Sequence, residues 1–165
     1  MGKTGAAVRG CVVTIHKMVV KTVTVEYHAP KKLRPIVDSP LIARAVMRAE
    51  FAKLDSDVES FVLAVQNTRH EIIGFKKLHT GTGTACGVDA AKVFRAVLVM
   101  GGAGFIVAHN HPSNDATPSR DDIQLTKRLA AGAHTIGLVL NDHILVTADK
   151  TISLRADYQH VFITN

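Results

Sequence analysis

Short unbroken apolar runs alternate along this chain with stretches in which apolar residues return every three or four positions. The two rhythms predict strands and helices in turn. Residues 18–27 (MVVKTVTVEY) alternate apolar and polar side chains with many β-branched residues, which predicts a half-exposed strand for a sheet edge or for pairing with a second protomer. Ala29 to Pro35 reads as an extended basic connector bounded by two prolines. Ser39-Pro40 starts a helix, with serine at the N-cap and proline at N1. Ile42, Ala45, Val46, Ala49 and Ala52 then carry the helical rhythm to about Leu54. Residues 61–65 and 71–75 predict a strand pair joined at Asn67-Thr68-Arg69-His70.

Residues 89–100 predict an amphipathic helix with Ala90, Val93, Phe94, Val97 and Leu98 on one stripe, ended by Gly101-Gly102. The run Phe105-Ile106-Val107-Ala108 predicts a buried strand. Ser119 opens a helix that buries Ile123, Leu125, Leu129 and Ala130 and stops at Gly132. Residues 136–140 and 143–146 then predict two strands around an Asn141-Asp142 turn. Residues 1–11 read as a loose arm, and residues 148–165 carry no clear rhythm. Helices interleaved with strands, some of them hairpin-linked, predict an α/β fold in which helices flank a mixed β-sheet.

A length of 165 residues with 47% hydrophobic content suits a single domain. It divides into an arm over 1–38, holding one strand and the basic linker, and a domain over 39–165. No apolar run approaches the roughly 18–20 residues of a membrane span, and no signal-peptide core is visible, so no membrane partner is expected. Cys11 and Cys86 stand alone, which argues against a disulfide framework or thiolate zinc cluster and predicts a reducing, cytoplasmic setting. The glycines of TGTGTACG fit neither a Walker loop nor a dinucleotide fingerprint. Charge changes the picture more: residues 1–54 hold ten Lys/Arg and three Asp/Glu, so the net +6 lies upstream. That asymmetry suits a nucleic-acid or acidic partner, although aromatics are too scarce for a stacking platform.

The candidate chemistry lies in AHNHPSNDATPSRDD. His109 and His111 are two apart at a strand's end, so their rings project from one side. Pro112 ends the ladder, a turn-rich loop follows, and Asp122 falls on the first turn of the Ser119 helix. Two imidazoles and a carboxylate are the ligand set of a catalytic zinc, with the fourth position open to water. Ser119-x-x-Asp122 is equally a helix capping box, and the two roles are compatible. The letters HNH coincide with a nuclease name without its dispersed pattern, and the absence of P-C-x-x-C argues against a cytidine-deaminase site. A base must take the proton of the attacking water. From spacing alone Glu59, Asp55, Asp57 and Glu71 compete for that role.

The spacing H-x-H, seven residues, S-x-x-D resembles the metal signature of the JAMM (MPN+) metalloprotease family. The string HNHPSN-x-x-x-PSR-x-D resembles its RadC branch, usually labelled as DNA repair proteins. The likeness runs from about Ser39 to Val146. It implies the MPN/JAB, cytidine-deaminase-like architecture, a Zn²⁺ ion held by His109, His111 and Asp122, and hydrolysis of an amide in a peptide or isopeptide-linked protein substrate. It also implies Glu59, ahead of an apolar strand in ESFVLAVQN, as general base and Ser119 as oxyanion donor. Asn110 and Ser113 are expected to fix imidazole tautomers, unless backbone carbonyls suffice. His79, His134 and His143 read as structural or surface residues, with His143 in a DHI segment common in the family.

Two departures stand out. Asn114 replaces the usual glycine after H-P-S, a position where asparagine tolerates left-handed backbone. The helix-hairpin-helix module of full-length RadC proteins has no counterpart in residues 1–38, which implies a short, mobile-element-like form and carries no duplex-DNA binding over. Two further expectations belong to other classes: a non-catalytic zinc-containing module that binds DNA or protein, and a scaffold that forms a homodimer through the residue 19–27 strand.

Overall fold

Ser39 and Pro40 begin the first helix as their chemistry predicts. In the computed structural model, which describes residues 34–80 and 88–163, helix α1 spans Pro40–Phe51. Ser39 has an extended backbone and its Oγ accepts from Ile42 N at 3.5 Å. The buried stripe is Ala43, Met47 and Phe51, one position round from the alanine-rich stripe of the sequence reading. Met47 and Phe51 remove far more apolar area from water than Ala45 and Ala49 can, so they decide which face turns inward. The predicted strand over residues 18–27, the glycine loop 81–87 and the side chain of His79 lie outside the described residues.

Among the described residues, five strands form one mixed sheet: β1 (Ser60–Gln66), β2 (Ile72–Thr80), β3 (Gly104–Asn110), β4 (Val139–Val146) and β5 (Thr151–Ser153), in the order β2-β1-β3-β4-β5. Only β3 and β4 run parallel. Helix α1 covers one face, over Val62, Ala64, Ile106, Ala108, Ile144 and Val146. Helices α2 (Ala90–Val99) and α3 (Arg120–Thr135) cover the other, joined by short α4 (Leu154–Asp157) and a 3-10 turn at Gln159–Phe162. With both faces covered, β1 and β3 are buried throughout, and their central runs FVLAV and FIVA are continuously apolar rather than alternating. The fold is the expected α/β arrangement of helices flanking a mixed sheet.

Two local readings are corrected. Gly132 does not stop α3, which continues to Thr135; a Cβ at Gly132 would lie 2.7 Å from the ring of Phe94, so this glycine lets α2 close on α3. The stop is at Gly137, with φ of 74°. Nor is Asn141-Asp142 a turn between two strands, because residues 139–146 form one strand, β4. Residues 148–163, unassigned from sequence, supply β5, α4 and the 3-10 turn that close the core below α3. Arg48 fastens α1 to the β4–β5 turn through Ala148 O at 2.8 Å and Thr151 Oγ1 at 3.2 Å.

Candidate metal centre

Strand pairing sets the geometry. Phe61 of β1 lies opposite His109 of β3, and the next antiparallel step puts Ser60 beside Asn110. Continuing that register brings Glu59 opposite His111, beyond the strand ends, and both line an open cavity of about 490 Å³ with Ser119 and Asp122. Helix α3 starts across the same cavity. Ser119 Oγ accepts from Asp122 N at 3.1 Å and Ser119 N donates to Asp122 Oδ2 at 2.7 Å, a complete capping box. The cap fixes the Asp122 rotamer so that the carboxylate points back at the histidines.

His109, His111 and Asp122 converge as the sequence predicts, and they are a group able to hold a metal ion, with ligand atoms all within 4.8 Å of one another. His109 Nε2 is 3.0 Å from His111 Nε2 and 3.1 Å from Asp122 Oδ1, and His111 Nε2 is 3.6 Å from Asp122 Oδ2. Ligands at about 2.0–2.1 Å from a tetrahedral ion are themselves about 3.3 Å apart, so the residues fit such a metal. His109 and Asp122 are buried, while His111 is partly open to the cavity. Each ring is held from behind: His111 Nδ1 donates to the Asp115 carbonyl at 2.8 Å, and His109 Nδ1 lies 2.9 Å from Nε2 of His143.

The ionisation pattern agrees. Burial by itself would raise the Asp122 carboxyl, but the His109 and His111 rings set against it, the charge His109 carries when protonated and the Ser119 hydroxyl together hold it far below the carboxylate range. The Asp122 carboxylate, which can accept a hydrogen bond from the charged ring, raises His111 against its partial burial, helped by the Asp115 carbonyl and the charge of Glu59. Burial drives His143 well below its ordinary value, with the His109 charge adding, so this ring is neutral.

The remaining site residues fall out as follows. Glu59 stands in the cavity wall with His111, Ser119 and Asp122, whereas Asp55 and Asp57 line the neighbouring pocket on the far side of His111 and Pro112, and Glu71 lies at the opposite end of the sheet with Arg69. Ser119 Oγ also donates to Asp122 Oδ2 at 2.7 Å. Asn110 fixes no tautomer. Its side chain braces the residue 56–60 loop, and Ser113 Oγ accepts from Asp115 N at 3.4 Å. His134 is exposed, as expected of a surface residue. His143 is fully buried against His109, a role that the DHI segment hinted at but spacing could not assign. Asn114 has φ of 61° and adds a bond that glycine could not make, Nδ2 to Asp149 Oδ2 at 2.6 Å.

Residues 37–159 match the family described as the RadC-like JAB domain. The chain belongs to the RadC-like JAB family. It is 32% identical over 120 residues to a UPF0758 protein of Acaryochloris marina, covering 73% of this chain and 49% of that one. A UPF0758 protein of Geobacillus sp. strain WCH70 is 40% identical over 97 residues, 59% of this chain and 43% of the relative. Another, from Shouchella clausii, is 37% identical over 125 residues, covering 76% and 54%. The chain thus spans about half the length of the curated relatives it matches. Among the described residues no helix is long and apolar enough to cross a membrane.

Proposed function

We propose that this RadC-like JAB domain is a zinc-dependent hydrolase of peptide or isopeptide amide bonds. The observation that carries the reading is the His109–His111–Asp122 group, with His109 and Asp122 buried and His111 half-buried, opening onto a cavity whose wall also holds Glu59 and Ser119. His109, His111 and Asp122 would hold the zinc, which would supply Lewis acidity and an acidified water near neutral pH. The chain's own residues do the rest. Glu59 takes the proton of the attacking water and passes it to the leaving amine. Ser119 Oγ caps α3 through its lone pair, so only its hydrogen has to turn from Asp122 Oδ2 to meet the oxyanion, while Ser119 N keeps its own bond to that carboxylate. One such donor is worth about 3–4 kcal/mol of barrier.

The test begins with metal content after purification without added zinc. Less than about a tenth of an equivalent, unrestored by Zn²⁺, would refute a site of the affinity expected for this ligand set. With zinc bound, cleavage of a pool of peptide and isopeptide substrates should fall roughly 10²–10⁴-fold in Glu59→Gln while the metal stays.

A second reading, a non-catalytic module that keeps zinc for shape and binds DNA or protein, is favoured by the excess of ten Lys/Arg over three Asp/Glu in residues 1–54. Salt-dependent DNA binding that disappears on removing residues 1–33 and ignores Asp122→Ala would support it over the hydrolase.

A further inference from the structure

Thr126 sits one turn along α3 from Asp122, fully buried. Its Oγ1 is 2.6 Å from the Asp122 carbonyl oxygen and 2.7 Å from His143 Nδ1. A hydroxyl has one hydrogen, and a carbonyl oxygen can only accept. The Thr126 hydrogen therefore lies on the bond to Asp122, and Thr126 Oγ1 meets His143 as an acceptor. His143 Nδ1 must carry a proton. A neutral imidazole carries only one, so His143 Nε2 is bare. Across 2.9 Å it faces His109 Nδ1, which must then be the donor. With its hydrogen on Nδ1, His109 turns a bare Nε2 toward Asp122 and His111. The Asp115 carbonyl imposes the same tautomer on His111. Two ring lone pairs are thereby brought to 3.0 Å, an arrangement that repels unless a positive centre lies between them.

We propose that Thr126 and His143 are positioning residues: a relay of hydrogen bonds running from the Asp122 carbonyl through Thr126 and His143 fixes His109 in the neutral tautomer that can bind a metal. The proposal rests on reading His109, His111 and Asp122 as a metal site. A carboxylate or carbonyl behind a metal-binding histidine can only accept, so it sets the tautomer unaided. Here the partner is another imidazole, which can play either part. His143 alone decides nothing, and Thr126 supplies the direction. The relay also closes on a ligand, since the main chain of Asp122 orients His109 while its side chain faces the same ring.

Thr126→Val keeps the shape and removes the hydroxyl. His143 would then bury an N–H with no acceptor, so its hydrogen shifts to Nε2 and donates to His109 Nδ1. His109 is left with its hydrogen on Nε2, the atom the metal needs. The experiment uses the full chain labelled with ¹⁵N-histidine, metal-free and at mildly alkaline pH. Long-range ¹H–¹⁵N spectra distinguish the two tautomers, and competition with a chelator gives the zinc affinity.

His109 and His143 should both show the Nδ1–H form in the wild type. Thr126→Val should move both to Nε2–H and weaken zinc binding about 10–100-fold, and Thr126→Ser should restore both readouts. A wild-type His109 protonated on Nε2 overturns the relay, as does a Thr126→Val chain with tautomers and affinity unchanged. Should Thr126→Val fail to fold, the wild-type spectrum still decides. A wild-type chain that takes up no zinc sinks the hydrolase reading instead, and the ring spectra, recorded without metal, judge the relay separately.

Discussion

Asn110→Ala tests how the base is held. The Asn110 side chain is buried at 6% exposure, and it grips the chain on both sides of Glu59: Oδ1 accepts from Ser60 N at 2.7 Å, and Nδ2 donates to Val58 O at 3.1 Å and Ser56 O at 3.3 Å. Truncation removes three hydrogen bonds worth about 0.5–1.5 kcal/mol each and leaves the Ser60 N–H buried without its acceptor. Taking the two longer bonds at the low end, the loss should be about 3 kcal/mol of folding stability. A domain with ~5–15 kcal/mol in hand survives that. The candidate metal ligands stand on β3, one residue past its end and on α3, and keep their partners, so zinc stoichiometry should stay at the wild-type level. Urea denaturation measures the first quantity, metal analysis the second, and amide exchange across residues 56–60 should rise locally. A loss under about 1 kcal/mol, or no change in exchange at 56–60, would refute the brace; a loss of zinc would show that Asn110 serves the ligands instead.

Burial lifts the Asp142 carboxyl from 3.8 to about 6, against hydrogen bonds from Ser153 Oγ, Arg155 N and His143 N and the charge of Arg155. The folded state therefore holds that proton more tightly than the unfolded chain. This contribution is complete below about pH 4 and is lost as pH rises through about 6. Over the whole titration, from about pH 3 to about pH 7, the wild type should lose roughly 3 kcal/mol relative to Asp142→Asn, which has no such titration; parallel urea curves would rule this out. At Asn114, with φ of 61° and a bond to Asp149, alanine should lose about 1–2 kcal/mol for left-handed backbone and a further ~1 for the bond. Glycine should lose only the bond, so an alanine variant as stable as the glycine variant in thermal melts contradicts the assignment. Asp122→Asn keeps an oxygen for Ser119 N and so keeps the cap, but it should lose the stabilisation of about 2.7 kcal/mol expected at a hundredfold excess of zinc over its Kd. Zinc raising the Tm of that variant as much as the wild type would remove Asp122 from the ligand set.

The ligands were legible because their geometry is local. His109 and His111 are related by one strand repeat, and Asp122 by one helix turn from a serine cap, so spacing alone fixes most of the constellation. Glu59 needed the family likeness, because its approach depends on β1 pairing with β3 in one register, and sequence spacing carries no information about register. Asn110, Thr126 and His143 act through contacts across 52, 4 and 34 positions, and only the Thr126 bond to Asp122 lies within one element. Gly132 was misread for a related reason. Glycine stops helices when it must turn left-handed, but it also sits inside them where another helix presses close, and the ring of Phe94 is what distinguishes the two cases.

Asn141 decides which way the rest of β4 faces. Phe105 pairs with Leu140 but Ile106 pairs with Asp142, so Asn141 is an extra residue, a β-bulge in β4. Its turn-forming chemistry was read correctly and its use was not. The bulge reverses the facing of everything after it. Leu140 belongs to the core under α2 and α3, and strict alternation would send Ile144 there too, yet Ile144 packs under α1. His143 is thereby turned to the α3 side, where His109 and Thr126 stand, while Asp142 faces the pocket beside α1. Were Asn141 paired regularly with Ile106 instead of bulged out, the positions would exchange, and the carboxylate would fall behind His109 in place of the imidazole. Asn141 is itself tied by Nδ2 to Gln66 Oε1 at 2.9 Å, and Gln66 Nε2 holds the carbonyls of Val37 and His70. The polar cluster at the far end of the sheet thus sets the register on which the metal end depends.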